Sequence, residues 1–422
     1  MAEKLSTEPY KGVRDFYPED WAQMQSVFDT LRKTLKLYGY EEYQASPLEP
    51  AELYESKTSE EIVSEQTFTF TDRGDRRVTL RPEMTPTLAR MIASKRRELA
   101  FPARWFSIPN LFRYERPQRG RLREHYQLNV DLLGIQDAKA DGEIIVIASE
   151  ILKAFGASDG DFTIRINSRS LLNAATTALG YTEAESKVYL RLLDGKAKMT
   201  TEEFETARAG LRKDGVDVLE LIESGTNRDV ATEKEQLDGL LAAFATRGMN
   251  NVVFDPSIVR GFDYYTGIVF EVFDTNPENT RSMFGGGRYD NLVSLFGGDS
   301  VPAVGFGMGD VTLLDFLTTH GYAPIASSAP TLYLGTPEEA DVALAQEFAT
   351  TLREQNISVL VHVQGKSLSD QIREANKRSI PYFIAYGKQE YDSGMVRLKS
   401  LQDSDEKELP TAEVLEILSQ AK

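Results

Sequence analysis

Residues 170–248 carry helical spacing and polar connections with scarcely a strand, while strand patterns flank them on both sides. That order constrains the fold more than any other feature, because one sheet must be assembled from segments far apart in the chain. The segments "SRSLLNAATTALG", "AESKVYLRLLDG", "TEEFETARAGLRKDG" and "EKEQLDGLLAAFATRG" repeat apolar residues with helical period. Strand character returns at "NVVFDPSIVRGFDYYTGIVFEVF". The stretch 170–248 therefore reads as a helical insertion in a sheet domain.

The flanking regions fill in that domain. Residues 19–37 place Trp21, Met24, Val27, Phe28 and Leu31 on one side of a helix. "TFTFTDRGDRRVTLRPE" alternates on both sides of Asp72-Arg73-Gly74-Asp75, a β-hairpin signature. Thr85-Pro86 then reads as an N-cap followed by a first-turn proline. "RWFSIPNLFRYE" and "REHYQLNVDLLG" are strand-like runs on either side of an arginine-rich loop, a further helix fits 141–155, and "VPAVGFGMGDVTLLDFL" runs from strand into helix. Proline, serine and alanine make 320–330 a linker. Beyond it strands and helices alternate, which predicts a compact α/β domain over 331–422 with a largely parallel sheet. The first domain is expected over 1–319.

Charge narrows the function. The net charge of −17 disfavours indiscriminate binding to nucleic acid, yet arginine occurs at 113, 116, 119, 121 and 123. One arginine cluster on an acidic chain suits a specific anionic ligand, although the cluster alone also fits a solvated loop. The absence of cysteine excludes disulfides and thiolate metal sites, and three histidines are few for a histidine-rich metal centre. With no long apolar run and no secretory signal in "MAEKLSTEPYKG", the expectation is a cytoplasmic protein without membrane contact.

The stretch "RGFDYYTGIVFEVF" (260–273) poses a specific question. Its second half alternates as a strand, whereas its first half begins with Arg260, Gly261, Asp263, Tyr264 and Tyr265. Polar groups cost free energy when buried without partners, so these residues either face a ligand or mark an ordinary strand end with core tyrosines. Gln127, Asn129 and Asp131 likewise project together from one strand face.

Taken in order, these segments resemble the histidyl-tRNA synthetases, a family of class II aminoacyl-tRNA synthetases. The resemblance runs from "YKGVRDFYPED" through "SPLEP", "LRPEMTP", "FRYERPQRGRLREHYQLNVDLLG", "RGFDYYTGIVFE" and "GGGRYDNLV" to the C-terminal region. It implies a class II catalytic domain with an antiparallel sheet and helical insertion, followed by an α/β anticodon-binding domain. It further implies a homodimer, with Pro47 at its interface, that joins histidine to tRNA(His) using ATP and Mg²⁺.

Residue roles follow from the same resemblance. Arg260 and Arg113 are the catalytic candidates, placed to stabilise charge developing at the α-phosphate. One preorganised donor there is worth roughly 3–4 kcal/mol. Glu83 and Thr85 are expected at the α-ammonium. Gln127, Asp131, Tyr264 and Tyr265 form the histidine pocket, with Asp131 reading the imidazole N–H. Gly286 and Gly287 permit close backbone approach beside it. Glu115 is expected at adenine, Arg121 and Arg123 at the outer phosphates, and Gln118 and Arg119 at the tRNA acceptor end. The surplus of basic residues between Lys366 and Lys399 fits an RNA-facing surface, and equally a solvated helix face.

Two departures stand out. The family's motif 3 ends in Gly-x-Glu-Arg, whereas this chain has Gly309-Asp310-Val311-Thr312, with threonine at the arginine position. Pro109-Asn110 likewise replaces the usual Gly-Pro. They leave two other readings open: a histidine-sensing regulatory subunit of ATP phosphoribosyltransferase, and a tRNA-sensing module without turnover. Retention of Arg113, Arg260, the tyrosine pair and the C-terminal domain favours the synthetase.

Overall fold

In the computed structural model the described residues are 5–55, 66–115, 120–196, 199–259, 264–279, 281–403 and 405–420. The chain forms two compact units, Met1–Tyr17 with Gln23–Ile325, and Pro18–Ala22 with Ala326–Lys422.

The first unit is organised by a nine-stranded sheet. In chain order its strands are β1 (Glu41–Glu42), β5 (Ala103–Ser107), β6 (Asn110–Phe112), β7 (Glu124–Leu133), β8 (Phe162–Ser168), β9 (Val252–Phe254), β10 (Ile268–Asp274), β11 (Ser282–Arg288) and β12 (Ala303–Gly309). β2 (Leu48–Pro50), β3 (Phe68–Thr71) and β4 (Arg77–Leu80) form a separate three-stranded antiparallel sheet. The spatial order of the large sheet is β1-β5-β7-β12-β11-β10-β8-β9, with β6 also paired to β7. Its interior pairings are antiparallel, while the two edge pairings, β1 with β5 and β8 with β9, are parallel.

The β3–β4 hairpin lies where its sequence signature placed it. Asp75 adopts a positive φ of 57°, and Asp72 Oδ1 accepts from the backbone N–H groups of Gly74 and Arg76 at 2.8 and 2.9 Å. Asp tolerates this left-handed geometry better than most residues and supplies the turn's hydrogen bonds. The helix after it spans Thr85–Lys95, but its N-cap is Met84, with no side-chain cap bond. Thr85 is thus the first helical residue rather than the cap, and Pro86 fills the first turn, where a missing N–H is harmless.

Between β8 and β9 the insertion is helical, as expected: Arg169–Ala178, Glu183–Gly195, Thr201–Ala209, Val218–Ser224 and Arg228–Thr246. Three of these starts are specified locally by reciprocal capping boxes, Thr182 with Glu185, Thr200 with Glu203 and Asp217 with Glu220. The helix Arg169–Ala178 packs on Arg228–Thr246, which itself reaches β8 and β9.

One face of the sheet is apolar. Leu128, Val130, Leu132, Phe306 and Phe284 are buried there, with helices Lys139–Ala154 and Asp310–Thr319 packed on β7 and β12. Arg288 fastens this layer: its Nη2 lies 2.5 Å from Asp141 Oδ2, its Nε donates to the same carboxylate, and both side chains are buried. A buried pair costs desolvation, and removing one partner would leave an uncompensated charge.

In the second unit β13 (Leu332–Gly335), β14 (Val359–Val361), β15 (Tyr382–Ala385), β16 (Met395–Ser400) and β17 (Glu406–Pro410) follow the order β14-β13-β15-β16-β17. This corrects the expectation of a largely parallel sheet. β13 pairs in parallel with β14 and β15, but β15–β16 and β16–β17 are antiparallel, because those last strands follow one another without a long helical crossover. Four of the basic residues in Lys366–Lys399 pair with acidic neighbours in the same stretch, which leaves its net surplus unchanged: Lys366 and Arg378 pair with Glu374, Arg373 with Asp370, and Lys388 with Asp392.

Candidate functional site

The other face of the large sheet carries a cavity of about 110 Å³. Strand register builds it. Gln127, Asn129 and Asp131 share one face of β7, and they pair with Gly309, Gly307 and Gly305 of β12. Gly305 and Gly307 pair in turn with Gly287 and Gly285 of β11. The floor is therefore a strip of glycines beside three polar side chains. A Cβ on Gly305 would stand 2.3 Å from Asp131 Oδ1, and one on Gly307 would stand 3.0 Å from Gln127 Cδ. The first contact is closer than real Cβ atoms come and the second is tight, so Asp131 lies flat against the sheet only because Gly305 lacks a side chain.

The walls come from other elements. Glu83, immediately before the helix Thr85–Lys95, is buried, and its Oε2 accepts from the Tyr264 hydroxyl at 3.3 Å. The positive end of that helix favours a carboxylate at this position. Thr85 also lines the cavity. Arg113 enters from the end of β6, with its Nε donating to the Pro82 carbonyl at 2.8 Å. The Tyr264 and Tyr265 rings lie 4.9 Å apart, and Tyr289 meets Tyr264 edge-on at 6.0 Å.

Charge is distributed unevenly along the cavity. Beyond the Arg113 end, outside the cavity lining, burial and then Arg113 and Arg14 push the His125 imidazole down to about 3, so it is neutral at physiological pH. At the other end Asp131 is buried, and Tyr289 donates to its Oδ1. Burial pushes Asp131 up to about 7, opposed by that hydrogen bond. Among the described residues, no cation forms an ion pair with Asp131.

Of the residues singled out in the sequence, Glu83, Thr85, Arg113, Gln127, Asp131, Tyr264 and Tyr265 meet around this one cavity. Gly286 and Gly287 do not line it. Gly286 pairs with Phe306 on the apolar face, where a Cβ would stand 2.6 Å from Phe306 Cβ; it admits the Phe270–Phe306–Phe284 ring cluster. Gly287 makes room for Tyr265, whose Cδ1 would lie 2.9 Å from an added Cβ. Gly285, Gly305 and Gly307 line the cavity instead, as do Asn129 and Tyr289. The alternation in "VGFGMG" was the available signal for the β12 glycines.

The arginine loop is partly engaged elsewhere. Arg121 pairs with Glu115 at 3.6 Å. Arg123 stacks over Tyr114 at 3.9 Å, and its Nη1 donates to the Tyr10 hydroxyl at 2.8 Å. None of these three lines the cavity. Arg260, Gln118 and Arg119 lie outside the described residues. Thr312 is anchored in the first turn of the helix Asp310–Thr319, where its hydroxyl donates to the Met283 carbonyl at 2.7 Å.

Among the described residues no three His, Asp or Glu side chains converge as a metal site. Mg²⁺ retains several waters and commonly enters with substrate phosphates. Among the described residues the donors therefore do not form a resident divalent-cation cage.

The model for the histidyl-tRNA synthetase family matches residues 12–313, and that for an anticodon binding domain matches 331–421. The histidine–tRNA ligase of Leptospira biflexa is 41% identical over 426 residues, covering 98% of both chains. That of Natronomonas pharaonis is 36% identical, covering 95% of each. Among solved structures, histidyl-tRNA synthetase from Nostoc sp. PCC 7120 shares the fold with a TM-score of 0.80 at 23% identity, covering 99% of this chain and all of its own. A Bacillus halodurans protein described as an ATP phosphoribosyltransferase regulatory subunit/histidyl-tRNA synthetase aligns with a TM-score of 0.71 at 25% identity, covering 87% of this chain and 95% of its own. With the family model matching the sheet domain and relatives more than 30% identical over 95% or more of both chains, the chain belongs to the histidyl-tRNA synthetase family.

Proposed function

We infer that the protein is a histidine–tRNA ligase, which activates histidine with ATP and transfers it to the 3′ end of tRNA(His). The observation that carries this reading is the polarity of the cavity, with Asp131 buried at one end and Arg113 at the other. A zwitterion with a hydrogen-bonding ring suits it. Its carboxylate would face Arg113, its ammonium the Glu83 carboxylate and Thr85 hydroxyl, and its imidazole N–H the Asp131 carboxylate. Gln127 and the paired tyrosines would complete the enclosure.

Chemistry in such a site is positioning and charge stabilisation. Arg113 would hold the carboxylate in line with the α-phosphate of ATP, and its fixed guanidinium meets charge as it develops. Arg260 enters this mechanism on sequence resemblance alone. Mg²⁺ carried in with ATP would neutralise phosphate charge. We place Glu115, Arg121 and Arg123 around the nucleotide, and Gln118 and Arg119 at the tRNA acceptor end. Residues 1–319 would act as the catalytic domain, joined by 320–330 to an anticodon-binding domain over 331–422. A cytoplasmic homodimer is the working assembly in this reading; among the described residues, no helix is long and apolar enough to cross a membrane.

The regulatory-subunit reading has the shared fold of the Bacillus halodurans protein in its favour. Histidine-dependent ATP–pyrophosphate exchange, followed by charging of tRNA(His), separates the alternatives. The ligase performs both reactions. Histidine binding without exchange would favour the regulator, and tRNA binding without either reaction would favour a sensing module.

A further inference from the structure

Behind Asp131, on the same face of the sheet, two hydroxyls are buried without a hydrogen-bond partner: Tyr43 Oη and Ser107 Oγ. Ser107 pairs with Asn129 across β5 and β7, as Trp105 pairs with Asp131. Tyr43 continues β1 alongside Ser107, its N–H donating to the Phe106 carbonyl at 2.8 Å, and its ring lies 5.6 Å from that of Trp105. Ser107 is fully buried. The Tyr43 phenol is pushed well above its usual range, first by burial and next by the Asp131 carboxylate, with Ser107 as its hydroxyl neighbour. The two hydroxyls are close without meeting the geometry of a hydrogen bond.

Two buried hydroxyls left unsatisfied each forfeit their hydration without a replacement hydrogen bond. Native structures answer such groups with partners or with ordered water, and buried waters typically make about three hydrogen bonds. Tyr43, Ser107 and Asp131 offer that number of polar partners beside a polar cavity.

We propose that Tyr43 and Ser107 hold an ordered water against Asp131, and that this water orients the carboxylate for recognition of the substrate imidazole. Both residues are positioning residues that act through Asp131. An ionised carboxylate accepts several hydrogen bonds, and Tyr289 supplies one of them. A bound water supplies another, which favours the charged form against the cost of burial. The inference rests on reading the cavity as a histidine pocket.

Its test is histidine and ATP·Mg²⁺ affinity measured by calorimetry on the full-length protein, for wild type, Tyr43→Phe, Ser107→Ala, Ser107→Thr and the Tyr43→Phe/Ser107→Ala double variant. Losing a water-mediated bond to Asp131 should weaken histidine binding roughly tenfold in Tyr43→Phe and in Ser107→Ala, near the lower edge of the range for one hydrogen bond to a charged group. ATP affinity should stay unchanged, Ser107→Thr should retain wild-type affinity, and the double variant should be no worse than either single one. A crystal structure should show density bridging Tyr43, Ser107 and Asp131. Unchanged histidine affinity together with raised thermal stability in Tyr43→Phe would mean a plainly unpaired hydroxyl, and would overturn the proposal. Equal weakening towards histidine and ATP would also overturn it, as a general structural effect. Calorimetry separates this inference from the ligase reading: wild-type protein that binds histidine yet lacks exchange refutes the ligase, while the variants still decide the water.

Discussion

Tyr289 donates a hydrogen bond to Asp131 where both side chains are buried, joining the residue after β11 to the C-terminal part of β7. Arg288, one position earlier, points the other way and grips Asp141 beneath the sheet. Adjacent residues thus secure the two faces, one for the pocket and one for the core.

Tyr289→Phe removes that donor and keeps the ring that packs against Tyr264. A hydrogen bond to a charged group contributes about 1.5–3 kcal/mol. The histidine KM in pyrophosphate exchange should rise by roughly one to two decades, with the ATP KM unchanged. An unchanged histidine KM would show that Asp131 is oriented without Tyr289.

Asp131 should impose a pH dependence. Its carboxyl is pushed up to about 7 by burial, and the ionised form is much the stronger acceptor for an imidazole N–H. The histidine KM should therefore be flat above that pH and rise about tenfold per unit below it. Stability runs in the opposite sense. A carboxyl whose folded value lies above its unfolded value contributes stability that is complete at low pH and lost as pH rises through about 7. Asp131→Asn should be more stable than wild type at pH 8, by at most about 4 kcal/mol, with the gap closing towards pH 4. Denaturant midpoints across pH measure this, while exchange assays should find Asp131→Asn severely impaired towards histidine.

Gly305→Ala places a methyl group 2.3 Å from Asp131 Oδ1 and 2.5 Å from the Val130 carbonyl. The carboxylate must swing away from its present position. Histidine affinity should fall by roughly two decades, comparable to losing a buried charged hydrogen bond. Calorimetry on the folded variant checks this, and near-normal affinity would show that Asp131 need not lie against β12.

Thr312→Arg tests the unusual motif 3. The Thr312 methyl faces the arginine loop, 3.6 Å from where a Cβ on Gly120 would stand, and Gly120 has none. A guanidinium passing over Gly120 would meet nucleotide phosphate, and the ATP KM should drop by roughly one decade with the histidine KM unchanged. No change would mean that another group already satisfies the site.

What the sequence determined by itself was local. Period-two alternation placed Gln127, Asn129 and Asp131 on one face of a strand, turn chemistry at Asp72–Asp75 specified a hairpin, and the helical segments of 170–248 announced an insertion. Family motifs singled out Glu83, Thr85, Arg113, Tyr264 and Tyr265, which line one cavity. Tertiary structure decided everything that depends on register between distant strands. Alternation says which residues of β11 share a face, but only pairing with β12 shows that Gly286 faces the phenylalanines while Gly285 faces the cavity. A shift of one residue would reverse that assignment, and nothing local in "FGGGRYD" encodes the shift. The hydroxyls of Tyr43 and Ser107 were illegible for the same reason: each looks like an ordinary strand residue until the β1–β5–β7 pairing brings it beside a buried carboxylate.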